Sequence, residues 1–213
     1  MNRWLVPLAG VALSFALFTA AACGGDSDAS TSSHGSSHAA PGAGFAAHVY
    51  DPPREVADFT LTDQDGEPFR FSDTNGTVRL LYFGYTNCPD ICPTTLLTWK
   101  RVREELGDHA DHVTFIMVTV DPEQDTPDVL KRYVKAFHPS FIGLTGAMEE
   151  LTPVWAAFGV QVQKEPMPES AAGYSVGHTA SVFAVDPEGR LRLKFPFGAT
   201  PEQIASDVRR LME

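Results

Sequence analysis

Residues 78–93 read V-R-L-L-Y-F-G-Y-T-N-C-P-D-I-C-P, an apolar run that leads directly into two closely spaced cysteines. The first eight residues do not alternate between apolar and polar, which predicts a central strand covered on both faces. Cys88 and Cys92 follow in the turn after this strand, and each precedes a proline. Proline is tolerated in the first turn of a helix, so the next helix starts either at Pro89 or at Pro93. Both geometries place the two sulfurs close together near the start of a helix.

The rest of the sequence alternates between helical patterns and short apolar runs. Two short alternating segments joined by turn residues, 59–62 and 69–71, predict a hairpin. Helices are predicted at 94–106, 126–137, 148–158 and 200–211, strands at 113–120, 141–144, 179–185 and 191–195, and an exposed loop at 164–177. Alternating units require a parallel core sheet with right-handed crossovers. We therefore expect a three-layer α/β domain of thioredoxin-like type, with a parallel core sheet and antiparallel hairpin strands.

The first 22 residues have the features of a signal peptide. Arg3 precedes an apolar run that is shorter than the roughly 20 residues a spanning helix needs. Small residues then lead into Cys23, an arrangement that resembles a bacterial lipobox, although an ordinary secretory cleavage site is the alternative. Lipidation of Cys23 would remove an unpaired exposed thiol. We expect residues 1–22 to be a lipoprotein-type signal peptide and Cys23 to hold the protein on the extracytoplasmic, periplasmic face of a bacterial membrane.

Residues 23–51 are poor in large apolar side chains, which predicts a flexible tether ahead of a folded domain at 52–213. Histidines at positions 34, 38 and 48 lie in or beside this segment. They are interpreted either as a weak metal-gathering arm or as solvated linker histidines.

The charge distribution narrows the class of partner. The sequence has 16 Lys and Arg against 27 Asp and Glu, a formal net charge of −11, and its basic residues are scattered without a run. This pattern argues against nucleic acid as a partner and fits a domain held near a membrane.

The cysteine turn indicates thiolate chemistry. The positive end of a helix favours anions and lowers thiol pKa values, so the pair can form a redox disulfide or bind a soft metal such as Cu(I). Buried core cysteines and a purely structural disulfide fit less well, because polar residues surround the pair and its loop is small.

His178 precedes a buried strand that should pass beside Cys88 and Cys92. It could supply a third ligand for Cu(I) or Cu(II).

Three motifs together resemble the Sco/SenC family of copper chaperones. They are C-P-D-I-C-P after an apolar strand, V-D-P at residues 120–122, and G-H-T, which contains His178. The resemblance covers about residues 52–213.

Membership in that family implies a thioredoxin-like fold and copper bound by Cys88, Cys92 and His178. It also implies a role in assembling the Cu-A centre of cytochrome c oxidase, with subunit II of the oxidase and other copper or thiol proteins as partners. Family members are tethered to membranes outside the cytoplasm, which agrees with lipidation of Cys23. Asp121 and Asp90 are not expected to be ligands. Asp121 has two interpretations: it tunes the site or docks a partner, or it only ends a strand in an Asp-Pro turn. The role of Asp90 is undecided in the same way.

The main alternative is a thiol-disulfide oxidoreductase acting on cysteines of the oxidase subunit or of other exported proteins. Such enzymes on this fold usually have tryptophan before a Cys-x-x-Cys pair and a proline before the later strand. Here Asn87 precedes the first cysteine, three residues separate the pair, and His178 occupies the later position. A redox Cys88–Cys92 disulfide nevertheless stays open. A peroxiredoxin is disfavoured because Thr86 lies two rather than three residues before the cysteine, and no general base is evident for catalysis by zinc.

Overall fold

The computed structural model describes residues 44–170 and 173–213. The predicted signal peptide at 1–22, the predicted lipid anchor Cys23, and His34 and His38 lie outside the described residues. No helix within the described ranges is long and apolar enough to cross a membrane.

Within these ranges, the strands are β1 (His48–Glu55), β2 (Thr60–Asp63), β3 (Pro68–Arg70), β4 (Val78–Gly84), β5 (Val113–Thr119), β6 (Ile142–Thr145), β7 (Val162–Pro166), β8 (Tyr174–His178), β9 (Val182–Val185) and β10 (Arg190–Phe195). The α-helices are α1 (Ile91–Leu106), α2 (Pro127–Phe137), α3 (Met148–Phe158) and α4 (Pro201–Arg210). Short 3₁₀ helices cover Phe71–Thr74 and Gly107–His112.

The main sheet has eight strands in the order β1-β10-β9-β4-β5-β6-β2-β3. Strands β4, β5 and β6 are parallel, and the other neighbours are antiparallel. Tyr82 packs against Trp99 of α1, whereas Phe83 packs against Phe158 of α3. Because successive strand residues point to opposite faces, α1 and α3 cover opposite faces of the sheet. The predicted thioredoxin-like α/β architecture, with a parallel core and antiparallel hairpin strands, is confirmed.

The cysteine turn lies where the central strand ends. Helix α1 begins at Ile91, between the two predicted starts, with Asp90 as its N-cap. Pro93 is therefore the third helical residue, where its missing N–H leaves no intrahelical hydrogen bond unmade. This start places Cys88 in the turn and Cys92 in the first turn of the helix.

Two boundaries differ from the sequence prediction. The folded part starts before residue 52, because β1 begins at His48 and the buried Asp207 carboxylate accepts hydrogen bonds from the backbone N–H groups of Ala46 and Ala47. The predicted loop at 164–177 is largely an antiparallel hairpin of β7 and β8 that forms a separate two-stranded sheet. Most residues of β7 are exposed, so the hairpin has little of the apolar pattern that marks a strand.

Candidate metal centre

The structure brings Cys88, Cys92 and His178 together. One donor atom from each residue lies within 4.8 Å of the others, and this is a group that could hold a metal ion. The Sγ atom of Cys92 lies 3.6 Å from Nε2 of His178. The two cysteines come from the β4–α1 turn and the start of α1, and His178 is the last residue of β8. A residue 86 positions away in sequence thus completes the cluster.

The imidazole of His178 is held in one orientation. Its Nδ1 lies 3.3 Å from the carbonyl oxygen of Thr179, so an Nδ1–H can donate to that carbonyl and leave the Nε2 lone pair facing the sulfurs. The rings of Tyr82 and Tyr85 pack against the imidazole at centroid distances of 5.9 and 5.8 Å, both nearly perpendicular to it. The histidine therefore presents its Nε2 atom to the cysteine sulfurs.

The two thiols differ in acidity. A hydrogen bond with the Cys92 thiol lowers the pKa of Cys88 to about 3, although burial opposes the shift. The same hydrogen bond and burial raise the pKa of Cys92 above its usual range. The prediction that the helix start would favour both thiolates is thus wrong for Cys92, which is fully buried and shares its proton with its neighbour. In the reduced pair the negative charge rests on Cys88.

Alkylation is expected to separate the two thiols. The pKa of Cys88 lies below the pH range 5 to 8, so Cys88 stays a thiolate and its rate of reaction with iodoacetamide should be nearly flat across that range. An ordinary thiol, with a pKa of about 8.5, should lose about tenfold in rate per pH unit on acidification. Cys92 should stay unmodified in the folded protein. Peptide mapping by mass spectrometry measures both sites.

The protein unfolded in guanidinium chloride is the control for this experiment, because unfolding removes the Cys88–Cys92 hydrogen bond. Cys88 should then recover the pH dependence of an ordinary thiol. A rate at Cys88 that already rises tenfold per pH unit in the folded protein would contradict the assigned charge.

A cavity of about 640 Å³ opens beside the cluster. Cys88 and His178 face it together with Tyr85, Pro89, Ile91 and Val176. Cys88 is partly exposed, whereas Cys92 is buried. An ion bound here could therefore be reached by a partner from the side of Cys88 and His178.

The donor set fits copper. Two sulfur atoms suit the soft Cu(I) ion, and the imidazole nitrogen also suits Cu(II), whereas hard cations prefer oxygen ligands. The SCO1/SenC family model matches residues 48–213, which is more than three quarters of the chain. The chain belongs to the SCO1/SenC family.

Individual members of the SCO1/SenC family are similar in sequence and in structure. A SCO2-like protein of Rickettsia felis is 37% identical over 147 residues, covering 69% of this chain and 72% of that protein. The copper-bound structure of ScoI from Bradyrhizobium japonicum is 37% identical with a TM-score of 0.67, covering 73% of this chain and 98% of that one. BsSco, described as having a disulfide switch and as a member of the Sco family of cytochrome c oxidase assembly proteins, is 28% identical with a TM-score of 0.61, covering 75% and 94%.

The other residues that the sequence singled out lie outside the Sco-type cluster. Asp90 is exposed at the N-cap of α1, and Asp121 is buried, with its carboxylate turned to Tyr174. His48 begins β1, which pairs with β10 at the edge of the main sheet. None of these three belongs to the metal-ligand group found among the described residues.

Sequence reasoning missed the contribution of Tyr82. Its hydroxyl donates a hydrogen bond to Sγ of Cys92 at 3.3 Å, and its ring packs against His178. The residue lies within a run that reads as buried strand, so the pattern predicts packing alone. A hydroxyl two residues before the carboxyl end of β4 was the only available signal, because such strand ends are where functional groups gather in α/β sheets.

Proposed function

We propose that this protein is a copper chaperone that carries one copper ion between Cys88, Cys92 and His178. The observation that carries the proposal is the convergence of two sulfurs and one oriented imidazole nitrogen within 4.8 Å, next to an open cavity. Copper in the related ScoI structure supports the assignment. We further propose that the acceptor is the Cu-A site in subunit II of cytochrome c oxidase. The description of BsSco as a member of a family of oxidase assembly proteins supports this acceptor.

The geometry suggests how the cargo would be exchanged. Cys92 is buried and Cys88 and His178 line the cavity, so a partner's donor atoms would approach from the cavity side. Exchange would then replace the exposed ligands before the buried sulfur of Cys92. Binding requires the remaining thiol proton to leave, because the thiolate is the ligand. Tyr82 can keep donating its hydrogen bond to the Cys92 sulfur once that proton is gone.

The proposal places the protein at the outer face of a bacterial membrane through lipidated Cys23. The small residues before Cys23 support this placement. Membrane fractionation of the wild type beside Cys23→Ser tests it. A variant that stays fully membrane-bound would overturn the lipid anchor.

A copper titration of the reduced protein tests the main proposal. We expect one copper per chain and, with Cu(II), a sulfur-to-copper charge-transfer band. The Cys88→Ser variant should lose the tight site, because a hydroxyl is a poor ligand for Cu(I). His178→Ala should weaken Cu(II) retention more than Cu(I) retention, because Cu(I) keeps both thiolates. Competition with chelators of known affinity measures the losses.

The matched control for the histidine is His109→Ala. His109 is exposed in the 3₁₀ helix that precedes β5. Because β5 is parallel to β4, this helix and the cysteine turn lie at opposite ends of the two strands. The His109→Ala variant should leave both copper affinities unchanged. If the reduced wild type bound no copper when the metal is limiting, the chaperone proposal would be lost.

A thiol-disulfide oxidoreductase is the second candidate, because the acidity of Cys88 suits a nucleophile. The Cys88 thiolate would attack a partner's disulfide, form a mixed disulfide and release one partner thiolate. Cys92 would then lose its proton, attack the Cys88 sulfur, close a Cys88–Cys92 disulfide and release the second partner thiolate. Two electrons pass to the partner. Efficient disulfide reduction by a His178→Ala variant would favour this function over copper binding.

A further inference from the structure

The turn that follows β5 contacts both halves of the candidate copper site without contributing a ligand. It reads D-P-E-Q-D over residues 121–125, and its two aspartates, Asp121 and Asp125, are fully buried. Burying a carboxylate is costly unless hydrogen bonds or counter-charges compensate it. The partners of these two carboxylates therefore show what the turn does. We call it the aspartate turn.

Asp121 holds the hairpin that carries His178. The Tyr174 hydroxyl lies 2.9 Å from each oxygen of its carboxylate, so it donates to this group. The ammonium of Lys164 lies 3.1 Å from Asp121, 2.9 Å from Glu123 and 4.6 Å from the centre of the Tyr174 ring. Lys164 belongs to β7 and Tyr174 to β8. Both strands of the hairpin are thus attached to the aspartate turn.

These contacts matter because the hairpin has few other attachments. Among the described residues, β7 and β8 form strand pairs only with each other. Tyr174, Val176 and His178 alternate along β8 and so point to the same side. Val176 is buried, and its N–H lies 3.5 Å from the hydroxyl of Tyr85. The position of the imidazole therefore depends on this face of β8, with Tyr174 at its far end.

Asp125 holds the other half of the site. Its carboxylate accepts a hydrogen bond from the Thr86 hydroxyl at 2.6 Å and lies 3.2 Å from the Thr86 backbone nitrogen. It also accepts a hydrogen bond from the Thr119 hydroxyl at 2.7 Å. Thr86 lies two residues before Cys88, in the turn that presents the first thiol. One short segment thus fixes the start of the cysteine turn and the start of the histidine strand.

We propose that the aspartate turn is a clamp that sets the position of His178 relative to Cys88 and Cys92. Asp121 and Tyr174 are positioning residues for the imidazole, and Asp125 is a positioning residue for the cysteine turn. The proposal rests on copper binding as proposed above. Releasing Tyr174 from Asp121 frees the nitrogen ligand but leaves the two sulfurs in place. The clamp therefore stabilises bound Cu(II) more than bound Cu(I).

The Tyr174→Phe variant tests this clamp, with Tyr50→Phe as its matched control. Tyr50 is a partly buried tyrosine of β1, an edge strand of the main sheet, and lies outside the candidate copper site. Removing the Tyr174 hydroxyl should lower Cu(II) affinity by about tenfold, the lower end of the effect typical for groups that orient metal ligands. It should also weaken the electron paramagnetic resonance coupling to nitrogen. The affinity for Cu(I) should change less than about threefold because the thiolates are untouched.

Hydrogen exchange of the metal-free protein supplies a second readout. Amides of β8 at residues 175–178 should exchange faster in Tyr174→Phe than in Tyr50→Phe, while those of β4 and β5 should not change. Lys164→Met, at a side chain that is 36% exposed, should shift the same readouts in the same direction. Asp125→Asn should instead speed exchange in the cysteine turn. The comparison for that variant is Asp207→Asn, which alters a buried aspartate bonded to Ala46 and Ala47.

The outcomes separate the two proposals. A wild type that binds no copper would end the chaperone proposal, while local exchange in β8 of the metal-free protein would still report on the clamp. Wild-type Cu(II) affinity and wild-type exchange in Tyr174→Phe would overturn the clamp alone. Equal losses of Cu(I) and Cu(II) affinity with faster exchange across the whole domain would also overturn it, because they would show general destabilisation.

Discussion

Replacement of Trp99 by alanine is expected to lower the free energy of unfolding by about 3–5 kcal/mol. Trp99 lies on the face of α1 that packs on the sheet and is fully buried. Its ring packs against Tyr82, Phe115 and Phe141 at centroid distances of 6.2, 5.6 and 5.8 Å. The substitution removes most of this contact area and leaves a cavity that three large rings cannot close by small movements. Chemical denaturation of the reduced, metal-free protein measures the loss.

The matched control is Leu97→Ala on the same helix. Leu97 is 53% exposed, and its truncation should change stability by no more than about 0.5 kcal/mol. The Trp99 variant should also disturb the candidate metal centre, because its indole supports the Tyr82 ring whose hydroxyl donates to Cys92. A loss below about 1 kcal/mol for Trp99→Ala would show that this cluster of rings is not the packing centre of the α1 face.

The layered fold could be predicted because its signals are local. The mostly apolar, non-alternating run of β4 marks a strand covered on both faces, and it is covered by α1 and α3. Helix starts carry equally local signals, since Thr126 and Thr200 each precede a proline and each accepts a hydrogen bond from a backbone N–H inside its helix. Such signals involve residues within a few positions of one another, so a single sequence can display them.

The β7–β8 hairpin could not be predicted in the same way. Most residues of β7 are exposed, and β8 has only five residues with one fully buried side chain, Val176, which is too short a pattern to mark a half-buried strand. Its attachment depends instead on an ion pair and a hydrogen bond with Asp121, whose separation from Tyr174 is 53 positions. Contacts of this kind become visible only when the chain is folded. The sequence therefore predicts a loop here, because the residue that holds these strands in place, Asp121, is distant in sequence.

The candidate site was predictable to the extent that its chemistry is unusual. Thiols spaced four apart at a helix start are chemically conspicuous, and the position of His178 just before a buried strand predicted that it lies beside them. The resemblance to the Sco/SenC family then implied the same three ligands. Family membership is confirmed by the match over residues 48–213. The different protonation of Cys88 and Cys92 was not predictable, because it depends on which sulfur the fold buries. The hydrogen bond from the Tyr82 hydroxyl was not predictable for the same reason, because its acceptor is the sulfur that the fold buries.

A methyl group added at Gly84, the last residue of β4, is expected to disrupt the candidate copper site directly. A Cβ atom at this position would lie 2.5 Å from a ring carbon of Tyr82 and 3.0 Å from Sγ of Cys92. Neither neighbour can withdraw easily, because both are fully buried. We expect Gly84→Ala to lower stability by about 1–3 kcal/mol, the usual cost of overpacking. It should also lower Cu(I) affinity by at least about tenfold, because the Cys92 sulfur is displaced.

Gly177→Ala is the matched control, since it adds the same methyl group next to His178. Among the described residues that are not its chain neighbours, a Cβ there comes within 4 Å only of the carbonyl oxygen of Gln163, at 3.7 Å, which is an ordinary contact. This variant should keep its stability within about 0.5 kcal/mol and its copper affinities unchanged. Chemical denaturation and chelator competition measure both variants. If Gly84→Ala bound Cu(I) as tightly as Gly177→Ala, the sulfur of Cys92 would have room to move, and its buried position could not be what fixes the geometry of the site.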